Sequence, residues 1–354
     1  MKILYIAPEY HQGSPALGAS FEYCNFYSSL LKTYPHEIEY FPFDQVLKKG
    51  KKFMNRELLR TVANLKPDLC FFNLVDDEIE KSVIGKITKE LNIKTLAWFG
   101  DDEWRFYSHS RHYAPFLSFI VSTDPEAKEK YHWVGYQNII YAPSAVNTDI
   151  YRPIQNDKDI DVSFVGSFNK ERGRIVSAVQ NAGINLVVRG AGWPAGRVSQ
   201  EEMIDLVSRS KIGLSLNPSS FYVGLKSIAR LFFKRPHFNR SLLAIRPDFW
   251  NFLNNWREWQ QKKIPQLKAR TFEIAACRTL TMTEHVPGLE HCYKLEEEII
   301  TYKSRDDLIK KIKYYLNHPK EREAIALAGY KRTIQDHTYE ERFADIFSRI
   351  GLKS

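Results

Sequence analysis

A short apolar run near the end of the chain, ARTFEIAAC at residues 269–277, carries two opposite charges, Arg270 and Glu273. Three residues apart on a helix, they share one face. A carboxylate in such a place can accept hydrogen bonds from the vicinal hydroxyls of a ribose, and a guanidinium can meet a phosphate. The same spacing also forms an ordinary ion pair worth a few tenths of a kcal/mol. Lys268 and the backbone around Thr271 add a second cation and free amides at the helix entrance, where the dipole favours anions.

A second cationic entrance precedes it. The strand-like DVSFVG ends at Gly166 and is followed by SFNKERGR, which holds Lys170, Arg172 and Arg174. A glycine at a strand end lets a ligand approach the backbone, and the next helix offers its amides. A turn glycine followed by a solvated basic helix would read the same way. Two such entrances in one domain favour a diphosphate. RGAGWPAGRV, at residues 189–198, forms a rigid loop in which Trp193, Arg197 or Val198 can border a nucleobase, although Trp193 also suits a loop anchor. Asn217 ends the strand-like KIGLSLN as another polar group beyond a strand.

The first half offers acids. WFGDDEWRF places Asp101 and Asp102 after a strand, where either can orient or deprotonate an acceptor hydroxyl or simply cap the next helix. His109 and His112 are weaker candidates. Gly18, in LGAS at residues 17–20, can present amides to a sugar or serve a simple cap. The pairs Asp76-Asp77 and Asp101-Asp102 lack the Asp-x-Asp spacing that holds a divalent metal with a sugar nucleotide, so neither a metal nor a cofactor is expected.

Alternating strand-like and helix-like segments must position these residues. KILYIAP, HEIEYFPF, DLCFFNL, KTLAWFG, LSFIVST and NIIYAP read as strands over residues 1–150, with helical stretches near 77–91 and 125–131 between them. NTDIYRPIQNDKD reads as a linker. A second series follows: DVSFVGS, a helix from about residue 171, INLVVRG, a helix opened by a capping box of Ser199 and Glu202, KIGLSLN, ARTFEIAAC and TLTMT. The expected architecture is two doubly wound α/β domains, with ligands beyond the carboxyl ends of the strands in an interdomain cleft.

The 354 residues exceed what one core usually covers, and 44% hydrophobic with 26% charged residues is ordinary for a globular protein. The net charge of +9 suggests anionic partners. Scattered Cys24, Cys70, Cys277 and Cys292 read as reduced core residues. No apolar run approaches the roughly 20 residues of a membrane span, and the N-terminus lacks a signal-peptide pattern. The expected location is cytoplasmic, with peripheral contact at the inner membrane face as an option.

Several stretches together resemble the spore maturation protein CgeB family, glycosyltransferases of the GT-B fold related to retaining family 4. They are DVSFVGSFNKERGRIV, GAGW, KIGLSLN, ARTFEIAACRTLTMTEHVPGLEHCY, IALAGYKRTIQDHTYEERF, and in the first half WFGDDEWRF and STDPEAKEKYHWVGYQNIIYAPSAVN. The resemblance implies an acceptor domain over 1–150 and a nucleotide-sugar donor domain over 151–335. A helix over 336–354 would return to the first domain. It further implies metal-independent hexosyl transfer, with retention as in family 4, from a nucleoside diphosphate sugar, UDP-sugar foremost, to a glycan, lipid-linked or protein acceptor in polysaccharide assembly. Arg270, Lys170 and Arg174, with Lys268 behind them, would stabilise the leaving diphosphate, and Glu273 matches the second of two family glutamates. The first is replaced by Pro265. An epimerase or hydrolase of the same fold, or a binding protein with a relic donor site, are the rival readings.

Residues 219–266 look like an insertion in the donor domain. Aromatic and basic residues interleave there, with Phe221, Leu225, Ile228, Leu231 and Phe232 near helical spacing. Membrane contact, an oligomer interface and a helical lid all fit such a segment. Nucleic acid is not an expected partner.

Overall fold

The computed structural model describes residues 1–155, 157–234, 238 and 245–352. They form two compact units: Met1–Pro143, Ser220–Ile264 and Arg342–Ser354 make the first, Ser144–Ser219 and Pro265–Glu341 the second. The insertion-like segment thus groups with the first unit rather than with the donor domain to which sequence assigned it. The presumed linker belongs to the second unit from Ser144. Tyr151 and Val146 are buried in that unit's core, and the Val146 amide donates to His337 O at 2.9 Å.

The first unit is built on six parallel strands: β1 (Ile3–Ala7), β2 (Ile38–Pro42), β3 (Leu69–Phe72), β4 (Lys94–Phe99), β5 (Phe119–Ser122) and β6 (Ile139–Tyr141). Their order is β2-β1-β3-β4-β5-β6, so the chain reverses direction across the sheet between β1 and β3. Every residue of β1 and β3 is buried, as a parallel sheet covered on both faces requires. The helix Lys51–Leu65 covers one face through Met54, Leu58 and Val62, spaced four apart. Residues 77–79, read as helical, are bends, Glu80 is an extended N-cap, and the helix starts at Lys81. Glu78 holds that bend by accepting twice from the Asp76 amide, at 2.8 and 3.0 Å.

The second unit holds β7 (Ile160–Val165), β8 (Leu186–Arg189) and β9 (Ser210–Ser215). Two-residue strands β10 (Phe233–Lys234) and β11 (Arg246–Pro247) pair in the first unit, and β12 (Leu280–Glu284) and β13 (Ile300–Tyr302) complete the second sheet, ordered β13-β12-β9-β7-β8. Asn169 caps the helix Lys170–Asn181 by accepting from the Arg172 amide, and the Ser199–Glu202 capping box opens the helix Gln200–Ser208.

The last helix, Tyr339–Arg349, seats Phe343 against Phe26, Phe71 and Trp98 of the first unit, with ring centroids 5.5–6.3 Å apart. Phe343 is fully buried. Phe343→Ala should destabilise the first unit by about 3–5 kcal/mol, a large part of a typical folding free energy. Urea unfolding followed by tryptophan fluorescence reads this as a lower midpoint.

Candidate functional site

In a doubly wound sheet the crevice opens at the point where strand order reverses. In the second unit that point lies between β7 and β9. Their carboxyl ends lead to Gly166 and to Leu216-Asn217. Arg172 spans the two: its Nε and Nη2 donate to Leu216 O at 3.1 and 2.8 Å, and its Nη1 donates to Ser167 O at 2.8 Å. Burial lowers its pKa, with Glu284 opposing and Arg270 adding to that shift. Arg172, Glu284 and Arg270 therefore stand near one another.

The helix Ala269–Ala276 supplies the anion–cation pair. Arg270 Nη1 lies 2.8 Å from Glu273 Oε2; the glutamate side chain is 6% exposed and the arginine 28%. Arg270 also touches the Met203 sulfur. The buried Tyr151 hydroxyl faces Glu273, and its pKa is raised by burial and then by that carboxylate. Phe272 and Ile274 on the opposite side are buried in the core, which fixes which face the pair occupies. The sequence thus places Arg270 and Glu273 together, and the fold keeps them so.

Other expected contacts are rearranged. The Thr271 side chain is fully buried and shares a 2.9 Å hydrogen bond with Ser215, so it ties the helix to β9 instead of facing a ligand. Lys268 Nζ turns to Gln266 Oε1. Arg174 pairs with Glu171 at 2.9 Å, largely exposed, because i,i+3 neighbours on one helix meet before either can reach across a strand end. Lys170 and Arg197 are exposed, and Val198 packs against the core. Trp193 serves the loop: its Nε1 donates to Gly166 O at 2.9 Å, and its ring meets Phe168 edge-on at 5.0 Å. Gly190, with φ +135°, passes so close that a Cβ would stand 2.1 Å from Gly166 O. Asn217 is buried. Its amide N–H donates to Glu284 Oε2 at 2.8 Å, and its side chain to Ser215 and Thr283.

Glu284 was not singled out by sequence. It ends β12, and burial raises its pKa. Its Oε1 is buried beside the Tyr302 hydroxyl without a well-formed hydrogen bond among the described residues. A carboxylate at the carboxyl end of β12, the strand next to β9, was the available signal.

In the first unit, Asp102 is not placed to meet an acceptor. It is 1% exposed, and its carboxylate accepts from Ser110, from Ser122 at 2.8 Å and from Tyr131 at 2.9 Å. It braces the helix Asp102–Arg105 against β5 and the helix Ala127–Trp133. Asp101, half-buried, stands near Glu22, another acid that sequence passed over. Burial raises the Glu22 pKa, and the charges of Asp101 and Asp44 push it further. Gly18 is an exposed turn with φ +79°. Asp76 and Asp77 pair separately, with Arg105 at 2.7 Å and Lys51 at 3.0 Å. Burial lowers the His109 and His112 pKa values, and His109 Nε2 has no hydrogen-bond partner among the described residues.

The profile of the family described as "Glycosyl transferase-like" matches residues 172–348, half of the chain. The chain belongs to this glycosyl transferase-like family. Spore protein CgeB of Bacillus subtilis (strain 168) is 23% identical over 296 residues, covering 80% of this chain and 83% of that protein. Among solved structures, sucrose-phosphate synthase (tll1590) from Thermosynechococcus elongatus superposes with a TM-score of 0.64 at 10% identity, each chain covered to 99%. Anabaena Alr3699/HepE in complex with UDP-glucose gives 0.61 at 10% identity, covering 99% of this chain and all of that one. These likenesses show the GT-B fold for this glycosyl transferase-like chain. No described helix is long and apolar enough to cross a membrane.

Burial pushes the Asp102 carboxyl up to about 6, against the three hydroxyl donors that pull it down. Its ordinary unfolded value is about 3.9, so the folded state favours the protonated form. That contribution is fully present below about pH 4 and is lost as pH rises through about 6, a change of roughly 2–3 kcal/mol. Asp102→Asn should remove this pH dependence. Measured between pH 4 and 7, the wild type should lose about that much stability relative to the variant. A parallel pH profile for the two proteins would show that Asp102 does not titrate in this range.

Proposed function

We propose that the chain transfers a hexosyl group from a UDP-sugar to a glycan, lipid-linked or protein acceptor, with retention at the anomeric carbon and without a divalent metal. The observation that carries this reading is the buried Glu273 paired with Arg270 at a helix entrance of the second unit. The carboxylate has the chemistry to hold the ribose hydroxyls, and the adjacent guanidinium to hold the diphosphate. Family membership and the UDP-glucose bound by HepE, a protein of the same fold, support the donor class.

In transfer, the bond between the anomeric carbon and the β-phosphate oxygen breaks and its electron pair leaves with the diphosphate. The acceptor oxygen bonds to the same carbon and gives up its proton to a base. Fixed cations stabilise the charge that develops on the departing phosphate, and they do so more strongly where water is excluded. Arg270 is the leading candidate, with Arg172 holding the strand ends beneath it and the N-terminus of the helix Lys170–Asn181 adding its dipole. Lys170, Arg174 and Lys268 keep only a long-range electrostatic role in this reading, and Trp193 shapes the loop that frames Gly166. For the acceptor proton, Asp101 and Glu22 replace Asp102 as the acids of the first unit suited to the task.

Pro265 supports a second reading. It stands where the family pattern has a first glutamate, so donor binding without transfer is the alternative. Incubation with UDP-, GDP- and dTDP-sugars, with and without EDTA, distinguishes the two. The proposal expects EDTA-insensitive release of UDP from a UDP-sugar. UDP binding without turnover on any acceptor favours the alternative. Under either reading Arg270→Ala and Glu273→Gln should weaken UDP about 10–100-fold in calorimetric titration, the loss of one charge-assisted contact. Unchanged affinity in both variants removes the proposed site.

A further inference from the structure

The 45 residues from Ser220 to Ile264 hold nine Lys or Arg against two Asp or Glu, most of the chain's net charge of +9. Two helices carry the segment, Leu225–Phe232 and Phe252–Gln261. Their inner sides are tied down. Asn255 Nδ2 donates to Leu231 O at 3.1 Å and to Asp248 Oδ2 at 2.8 Å. Lys262 lies 4.3 Å above the Trp104 ring, Arg257 lies 5.4 Å over Tyr107, and Arg111 donates to Asn254 at 2.8 Å. The two helices are therefore anchored parts of the first unit.

Among the described residues its outer side is exposed. Trp250 is 97% exposed, Leu225 87%, Val223 70% and Leu253 67%, and Phe249 and Trp256 are also exposed. The sequence stripe divides accordingly: Leu231 turns inward, Phe221 stacks on Trp259 at 4.8 Å, and Leu225 and Ile228 turn outward one helical turn apart. Leu253 and Trp256 repeat that spacing on the second helix. Single exposed apolar residues are ordinary on a protein surface, but a cluster of this size marks an interaction site. Cations stand among them: Lys226 and Arg230 on the first helix, and Lys234, which also meets Asp248 at 3.5 Å, opposite Arg246 in the β10–β11 pair.

We infer that this face seats the protein on an anionic lipid bilayer. Large apolar side chains flanked by Lys and Arg are what the boundary between headgroups and acyl chains accommodates: rings and aliphatic tips enter, and the charged ends remain at the phosphates. Charge decides against a second copy, since two such faces would bring like charges together. Side-chain type decides against single-stranded nucleic acid, because Leu225, Val223 and Leu253 have no ring on which a base can stack. The inference is independent of the glycosyl-transfer reading. Joined to it, the inference favours the lipid-linked class among the acceptors.

The test is flotation of the full chain with vesicles of phosphatidylcholine containing about one-third phosphatidylglycerol. The expected result is binding that weakens with salt and is much weaker on phosphatidylcholine alone. A W250S/L253S variant and a K226E/R230E variant should each lose at least about tenfold in partitioning. Both should keep the wild-type circular dichroism melt and UDP affinity, since the altered side chains are solvent-facing. No flotation at low salt, or flotation that both variants retain, overturns the inference. So does a wild-type dimer in analytical ultracentrifugation that becomes monomeric in W250S/L253S, or oligonucleotide binding that the same variant abolishes.

Discussion

A carboxylate removed from water must be compensated, and Glu273 is the point at which this fold meets that demand. An unpaired buried charge costs several kcal/mol. Arg270 supplies the compensation from one turn earlier, and the Tyr151 hydroxyl faces the same group. Both partners are polar and neither is covalently fixed, so ligand hydroxyls can donate to the carboxylate while the adjacent guanidinium meets a phosphate. The helix cannot rotate to hide the pair. Phe272, Ile274 and Ala275 hold its other side in the core, and Thr271 ties it to Ser215 at the end of β9.

Around that helix the scaffold is organised to keep strand ends open yet rigid. Arg172 spends all three of its donor nitrogens on the carbonyls of Leu216 and Ser167, latching the two sides of the switch point. Trp193 and Gly190 press the neighbouring loop against Gly166 from the side of β8. Glu284 and Asn217 close the far side through the Asn217 amide. These contacts leave the Gly166 loop and the Arg270–Glu273 pair as parts of one braced edge. Such bracing is what a phosphate site held by backbone amides requires.

Strand positions, the two α/β sheets, the Ser199–Glu202 capping box and the Arg270–Glu273 pair were legible because each rests on local pattern: alternation of apolar runs, cap chemistry, or spacing within one helix. The misreadings involve long-range contacts. Asp102 and Asp101 are adjacent in sequence, but only the fold reveals that Ser110, Ser122 and Tyr131 converge on Asp102. Arg172 and Arg174 are equivalent bases on paper. One reaches a carbonyl 44 residues away, and the other finds Glu171 on its own helix. Likewise the segment after Ser219 follows a second-unit strand, while its helices contact Trp104, Tyr107 and Arg111 of the first. Burial of Glu284 depends on β9 and β13 flanking β12, a neighbourhood that no short stretch encodes.

The central claim is that Glu273 grips the sugar of the nucleotide. Calorimetric titration of the wild type and of Glu273→Gln, each with UDP and with 2′,3′-dideoxy-UDP, isolates that contact as a coupling free energy. The account predicts that removing the hydroxyls weakens binding to the wild type by at least about tenfold, and that the variant scarcely distinguishes the two nucleotides. Equal affinity of the wild type for both nucleotides would contradict it.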